Sequence, residues 1–251
     1  MTLQLDKATV RRGGRNLIDA VSFTALPGQF TAICGPNGAG KTTALGVVSG
    51  STKPDEGHAR LDLEPLGSIP AKRLALRRAV LPQIPSLGFP FLVHEVVAMG
   101  RAPHHGIATA AEDMDAIEGA MDAVQIQDMA ERNYLTLSGG ERQRVQIARV
   151  IAQLWHEPAE GEARWLLLDE PTSALDLKHQ LRLMCLLSKL ASEGWGILAV
   201  LHDLSLILQW ADKAVLFANG QIVGDGPPQT VLTEVSVAEA FDLDEPYRFA
   251  A

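Results

Sequence analysis

Eight consecutive residues, Gly35-Pro36-Asn37-Gly38-Ala39-Gly40-Lys41-Thr42, set glycines, a lysine and a hydroxyl at the spacing G-x-x-x-x-G-K-[S/T]. Glycines let backbone N–H groups face phosphate oxygens at the start of a helix, where the helix dipole also favours anions. Lys41 is then placed to reach the β- and γ-phosphates of a bound ATP, and the Thr42 hydroxyl to ligate Mg²⁺. Thr43 follows directly and joins the candidate nucleotide contacts. The bland alternative, a glycine-rich turn that binds nothing, fits less well because the motif runs from an apolar stretch into a helical one.

Two further constellations carry chemistry. Trp165-Leu166-Leu167-Leu168-Asp169-Glu170 is an apolar run ending in two carboxylates, which places them where open α/β sheets bind ligands. Asp169 would hold Mg²⁺ through its water shell, and Glu170 would polarise an attacking water as general base. Taken alone, the pair reads as well as solvated loop acids. Leu137-Ser138-Gly139-Gly140-Glu141-Arg142-Gln143 opens a helix with a serine and two glycines, a second anion-binding N-terminus. Ser138 is also a plain helix N-cap on the same residues. Two phosphate cradles for one nucleotide point to a head-to-tail homodimer, with each ATP between the phosphate loop of one copy and the Ser138 loop of the other.

These groups need a scaffold that ends strands beside one another. Residues 3–10 and 21–26 alternate as an antiparallel pair would, and residues 30–34 form an apolar run ahead of the glycine loop. A helix over residues 41–49 follows and ends at Gly50. Short apolar runs return at residues 80–81, 165–168, 197–201 and 214–217, separated by helical stretches, which predicts a mostly parallel α/β sheet. Between residue 83 and about residue 157 strand signals give way to helical ones. Thr109-Ala110-Ala111-Glu112 reads as a capping box opening a helix with Met114, Ile117, Met121 and Val124 on its apolar face. A second helix follows Gly140 with Val145, Ile147, Ala148, Ile151 and Ala152 inward, and residues 155–164 read as an exposed loop.

Composition narrows the partners. The chain has 251 residues, 47% of them hydrophobic, enough for a sizeable core. The most apolar long stretch, residues 196–217, is broken by His202, Asp203, Gln209, Asp212 and Lys213, so no membrane span is expected. The N-terminus lacks a basic start and apolar run, which predicts a cytosolic chain. Cys34 and Cys185 are expected as free thiols. A net charge of −8 argues against nonspecific binding to nucleic acid.

In order along the chain, these motifs resemble the ATP-binding subunits of ABC transporters. The resemblance spans the phosphate loop, Gln83 as the Q-loop glutamine, the Leu137-to-Gln143 signature, Asp169-Glu170, Ser173-Ala174-Leu175-Asp176 as the D-loop, and His202 as the H-loop histidine. It implies a P-loop NTPase with a RecA-like parallel sheet, an N-terminal antiparallel β subdomain and an inserted helical subdomain. Residues 1–251 would form one ATPase domain, with 1–85 and 158–251 as the catalytic core and 86–157 as the helical part. By the same resemblance Gln83 senses Mg²⁺ and the water, His202 contacts the γ-phosphate, and Asp176 communicates across the dimer. From the residues alone His202 reads equally as a core histidine. Arg12 departs from the pattern, standing where an aromatic residue stacks on adenine. Its planar guanidinium can also stack, with Arg11 as its neighbour, or it is a solvated surface arginine.

Val96-Val97-Ala98-Met99-Gly100-Arg101-Ala102-Pro103-His104 is similar to a stretch in the ATPases of importers for iron-siderophores, haem and vitamin B12. Residues 150–155 and the long loop after them are similar to the haem-import ATPases in particular. That resemblance implies a working assembly of two copies of this chain, two permease subunits and a periplasmic haem-binding protein, on the cytoplasmic face of the inner membrane. The cargo would not touch this chain. Ferric-siderophore or vitamin B12 import is the alternative, and a soluble relative acting on nucleic acid or ribosomes, or a nucleotide-binding regulator without turnover, is the rival. His104 and His105 invite a metal reading but are better taken as a polar surface turn, since other ligands do not cluster with them.

Overall fold

Runs that are apolar on both faces make the central sheet, and alternating runs make a smaller one beside it. The computed structural model describes residues 1–83, 87–245 and 247. In chain order the elements are β1 (Leu3–Arg12), β2 (Arg15–Ala25), β3 (Phe30–Cys34), α1 (Lys41–Ser49), β4 (Glu56–Leu61), β5 (Glu64–Pro65), α2 (Ala71–Arg77) and β6 (Arg78–Leu81). Helices follow at α3 (Val93–Ala98), a 3₁₀ turn (Met99–His104), α4 (Ala110–Ala123) and α5 (Gly139–Gln153). The chain then returns to the sheet through β7 (Trp165–Asp169), α6 (Leu177–Ser192), β8 (Gly196–Val200), α7 (Leu204–Trp210), β9 (Lys213–Ala218) and β10 (Gln221–Gly226), and closes with α8 (Pro228–Val231) and α9 (Glu234–Phe241).

One sheet is antiparallel in the order β2-β1-β4-β5, and the other runs β10-β9-β3-β8-β7-β6. From β9 to β6 the strands of the larger sheet are parallel, and only β10 is antiparallel, to β9. Every residue of β3, β7 and β8 is buried, as a parallel sheet covered on both faces requires. This is the expected P-loop NTPase architecture, with the antiparallel β subdomain and the helical insertion in place. The expected boundary between residues 85 and 86 lies outside the described residues. No helix among the described residues is long and apolar enough to cross a membrane. Cys34 and Cys185 are free thiols.

Three details differ from the sequence reading. Strands β4, β5 and β10 and helix α2 were not foreseen. β4 carries Glu56, His58 and Arg60, and β10 holds Gly224 and Gly226 with no buried residue, so neither presents an apolar run. Helix α4 opens with the expected Thr109–Glu112 capping box, and of its expected face Met121 is buried and Ile117 and Val124 pack against the core, but Met114 is 55% exposed and Ala116 and Ala120 are buried in addition. At Gly119 a Cβ would stand 2.1 Å from the Trp155 ring. Residues 155–164 are a tethered strap rather than a free loop. The Trp155 indole donates to Asp115 at 2.8 Å, Glu162 takes Arg73 at 3.3 Å, and the Arg164 guanidinium lies 4.5 Å over the Trp195 ring.

The stretch from Gly100 to His104 is a cap for helix α5. The Arg101 guanidinium, almost wholly buried, donates to the Ala152 carbonyl at 2.7 Å and pairs with Asp113 at 2.8 Å. His104 Nε2 meets the Gln153 carbonyl at 2.8 Å. These carbonyls have no partner within the helix, so a cation and an imidazole at that end satisfy them and oppose the negative end of the dipole. His104 is thereby occupied, and no cluster of three or more His, Cys, Asp or Glu side chains among the described residues could hold a metal ion. Gly100 allows this closeness, because a Cβ there would lie 2.1 Å from the Arg149 carbonyl oxygen. Gly100→Ala should therefore destabilise the fold by about 1–3 kcal/mol, the usual cost of overpacking, read as a lower urea midpoint with an unchanged slope. A midpoint equal to the parent's would contradict the tight contact.

Candidate functional site

Each of four neighbouring strands delivers one part of the site as it leaves the larger sheet. β3 leads into the glycine loop, β8 into His202, β7 into Asp169 and Glu170, and β6 into Gln83. The register aligns their ends: Ile33 pairs with Val200, and Val200 with Asp169.

The glycine loop is held by backbone fit. Gly35 sits at φ 135°, and a Cβ there would lie 2.1 Å from the Phe217 carbonyl oxygen. Gly40 sits at φ 99° against the Leu17 carbonyl, 2.5 Å from where a Cβ would be. Both positions need glycine twice over, for conformation and for space. Lys41 bends back over the loop, and its Nζ donates to the Gly35 carbonyl at 2.8 Å and the Pro36 carbonyl at 2.7 Å. Burial holds the Lys41 ammonium below its ordinary pKa, against the attraction of Glu170, Cys34 and Asp169.

The two carboxylates behave differently. Asp169 is 4% exposed and accepts a hydrogen bond from the Thr42 hydroxyl at 3.3 Å. Burial, with Glu170 nearby, raises its pKa above the ordinary carboxylate value in spite of that bond and of Lys41. Glu170 lies in the left-handed region at φ 50°, a conformation that a non-glycine residue adopts at a cost. Its Oε1 is 2.8 Å from His202 Nε2. Burial pushes this carboxyl up, but hydrogen bonds from His202 and Gln83, together with the charge of Lys41, outweigh it and leave the pKa below the ordinary glutamate value. Glu170 is thus an ionised acceptor at neutral pH, with its backbone bent out of β7 so that its side chain reaches the cavity.

A cavity of about 320 Å³ is lined by Asn37, Gly38, Gly40, Lys41, Thr42 and Thr43 on one side and by Gln83 and Glu170 on the other. The sequence reading placed all eight in the site and missed Leu17, which also lines it. No sequence signal marks Leu17; it is brought to the cavity by the fold, which sets Gly40 and Gly220 against its carbonyl. Gly35, Pro36 and Ala39 form the body of the loop behind the cavity, and Asp169 and His202 reach it through Thr42 and Glu170. Arg12 does not line the cavity. Its guanidinium donates to the Arg11 carbonyl at 2.9 Å, and Arg11 is committed to Glu56 at 2.6 Å.

The second cradle stays apart from the first. Ser138 caps α5 in a reciprocal box with Glu141, its N–H donating to the Glu141 carboxylate at 2.7 Å and its hydroxyl accepting from the Glu141 N–H at 3.3 Å. Hydrogen bonds from the Ser138 backbone and hydroxyl, with Arg132 beside them, pull the Glu141 carboxyl down to about 2. That contribution is present above the ordinary glutamate value and is lost as pH falls towards the folded one. Gly140 approaches the Ala174 carbonyl, and Gln143 donates to the Pro171 carbonyl at 3.1 Å. Asp176 caps α6, accepting from the His179 N–H at 2.9 Å. None of Ser138, Gly139, Gly140 or Asp176 lines the phosphate-loop cavity of its own chain.

A sequence profile described as ABC transporter matches residues 18–173. The hemin import ATP-binding protein HmuV of Hahella chejuensis is 44% identical over 94% of this chain and 91% of its own length. That of Myxococcus xanthus is 43% identical over 97% of this chain and 91% of its own. Among solved structures, a bacterial Atm1-family ABC exporter with ATP bound superimposes with a TM-score of 0.77 at 26% identity, over 92% of this chain and 40% of the exporter's. The dimeric bacterial ABC transporter cassette MJ0796 shares the fold, with a TM-score of 0.77 at 24% identity over 90% of this chain and 98% of its own. The chain belongs to the ABC transporter family. The narrower name, hemin import ATP-binding protein, is that of its relatives.

Gly35→Ala should abolish nucleotide binding, because the new methyl group cannot coexist with the Phe217 carbonyl without moving the loop. Titration with a fluorescent ATP analogue checks this, and parental affinity in a folded variant would contradict it.

Proposed function

We propose that this chain is the ATPase of a haem importer, working as a homodimer peripheral to the cytoplasmic face of the inner membrane. Two permease subunits and a periplasmic haem-binding protein complete the assembly. Residues 1–85 and 158–251 form its catalytic core, and residues 86–157 the helical part that meets the permease. The observation that carries the ATPase reading is the ionised Glu170, held by His202 at 2.8 Å, facing the lysine and hydroxyl of the phosphate loop across one cavity.

The roles follow from placement. Loop amides between Gly35 and Thr43 receive the phosphates, and Lys41 turns from its own carbonyls to the β- and γ-oxygens. Thr42 and Asp169 offer oxygen donors already 3.3 Å apart, and Gln83 adds a third nearby, a set that suits Mg²⁺, which takes few protein ligands alongside nucleotide phosphates. When bound, the ion neutralises charge on the phosphates. Glu170 accepts a proton from the attacking water. His202 orients Glu170 and the γ-phosphate. Ser138, Gly139 and Gly140 of one copy cap the nucleotide of the other, and Asp176 lies beside that contact. Arg12 remains a candidate for stacking on adenine through movement of the β1–β2 hairpin. The haem assignment is supported by the names of relatives 42–44% identical over more than nine-tenths of the chain. Haem itself passes through the permease and does not touch this chain.

Glu170→Gln should lower hydrolysis by about 10²–10⁴-fold, the range general base catalysis supplies, while ATP affinity is kept. The variant should run as a dimer with ATP and Mg²⁺ on gel filtration, and parental turnover would remove the role given to Glu170. For the cargo, deleting the gene in its host should stop growth on haem as sole iron source and spare growth on free iron. Reconstituted ATPase activity that rises with a vitamin B12 or ferric-siderophore binding protein, and not with the haem-loaded one, would overturn the haem assignment alone.

A further inference from the structure

A second cavity, of about 580 Å³, lies away from the phosphate loop between α4 and α5 on one side and α6 on the other. Its floor is apolar: Ile147 and Leu183 are almost wholly buried, and Leu186 and Val124 are packed against the same core. Its rim is cationic, carrying Arg144, Arg182 and Lys189 in a chain whose net charge is −8. Arg144 spends one donor on the Gln125 carbonyl at 2.8 Å, and Arg182 has no hydrogen bond or ion pair among the described residues. Lys189 is only loosely held, 3.8 Å from Glu193. Of the other rim groups, Asp122 is taken up by Gln127 and His179 by Asp176.

Guanidinium groups facing an apolar recess without a carboxylate partner are placed to receive one in bidentate fashion. The volume suits a small organic molecule. We propose that this cleft binds an amphipathic carboxylate, its apolar body on Ile147, Leu183 and Leu186 and its carboxylate between Arg144 and Arg182. Because the lining comes from both the helical insertion and the core, an occupant favours the spacing of the two parts seen here over any other, and so slows a cycle that changes that spacing. The same chemistry is offered by a long-chain acyl carboxylate and by a porphyrin carboxylate. The proposal stands independently of the cargo assignment.

Cys185 makes the test local. It is exposed and lines this cleft, whereas Cys34 is buried and burial pushes its thiol up to about 12, leaving it unreactive. The labelling rate of Cys185 with a maleimide should fall when the full-length chain is titrated with oleate or with metal-free protoporphyrin IX, run as separate arms. Protection by oleate alone assigns an acyl ligand, and protection by protoporphyrin alone a porphyrin. In the Arg144→Gln, Arg182→Gln double variant the protecting concentration should rise at least ~10-fold, as loss of two charge-assisted contacts predicts, with ATPase activity in the absence of probe unchanged. Failure of both probes to protect Cys185 up to about 100 μM, a concentration well above the affinity of a formed site, overturns the proposal. Equal protection in the double variant overturns it as well, since the arginines would then not be the anchor.

Discussion

The site depends on one constraint: β3, β8, β7 and β6 lie side by side, run the same way and end at the same edge. Pairing of Ile33 with Val200 and of Val200 with Asp169 fixes where each strand lets go of the sheet. A slip of one residue would turn each buried side chain to the opposite face. Every residue in three of these strands is buried, so a slip would also misplace a packed core and is strongly opposed. The chemistry therefore inherits its precision from hydrophobic packing. No contact within the site has to supply that precision itself.

On that edge, local strain and close approach refine what the sheet sets. Glu170 accepts an unfavourable left-handed backbone, fixed by its N–H donating to the Val200 carbonyl at 3.2 Å and by Ser173 donating back to its own carbonyl. The same segment reaches the helical insertion, for Gln143 donates to Pro171 and Gly140 rests against Ala174. A displacement at the carboxylates is thus carried to the start of α5 through direct contacts. The other end of α5 is capped by Arg101 and His104, which braces the helix against the turn that follows α3.

Most of this was legible because the chemistry sits in motifs whose spacing is set by backbone needs. Gly35 and Gly40 could be read as loop glycines from the sequence, although the carbonyls of Phe217 and Leu17 that demand them could not, being far away in sequence. Strands β4 and β10 were invisible because they lie at or near sheet margins and carry charges or glycines in place of an apolar run. The face of α4 is only partly legible for a related reason: Met121, Ile117 and Val124 lie on or against the core as their periodicity predicts, but Met114 does not, and Ala116 and Ala120, too small to mark a face by size, complete the packing. The stretch from Gly100 to His104 carries a resemblance in sequence, but its physical role as the cap of α5 depends on helix ends that no local pattern places beside one another.

The central claim is that the two phosphate cradles, separate within one chain, meet across two copies. A cysteine pair tests it most directly: Asn37→Cys in the phosphate loop and Ser138→Cys at the start of α5, in a Cys185→Ser background that leaves only the buried Cys34. With Glu170→Gln added to prevent turnover, oxidation in ATP and Mg²⁺ should give a covalent dimer joined through the two introduced thiols, and oxidation without nucleotide should give much less. Monomer under both conditions, with ATP shown to be bound, or a crosslink formed inside a single chain, would contradict the account.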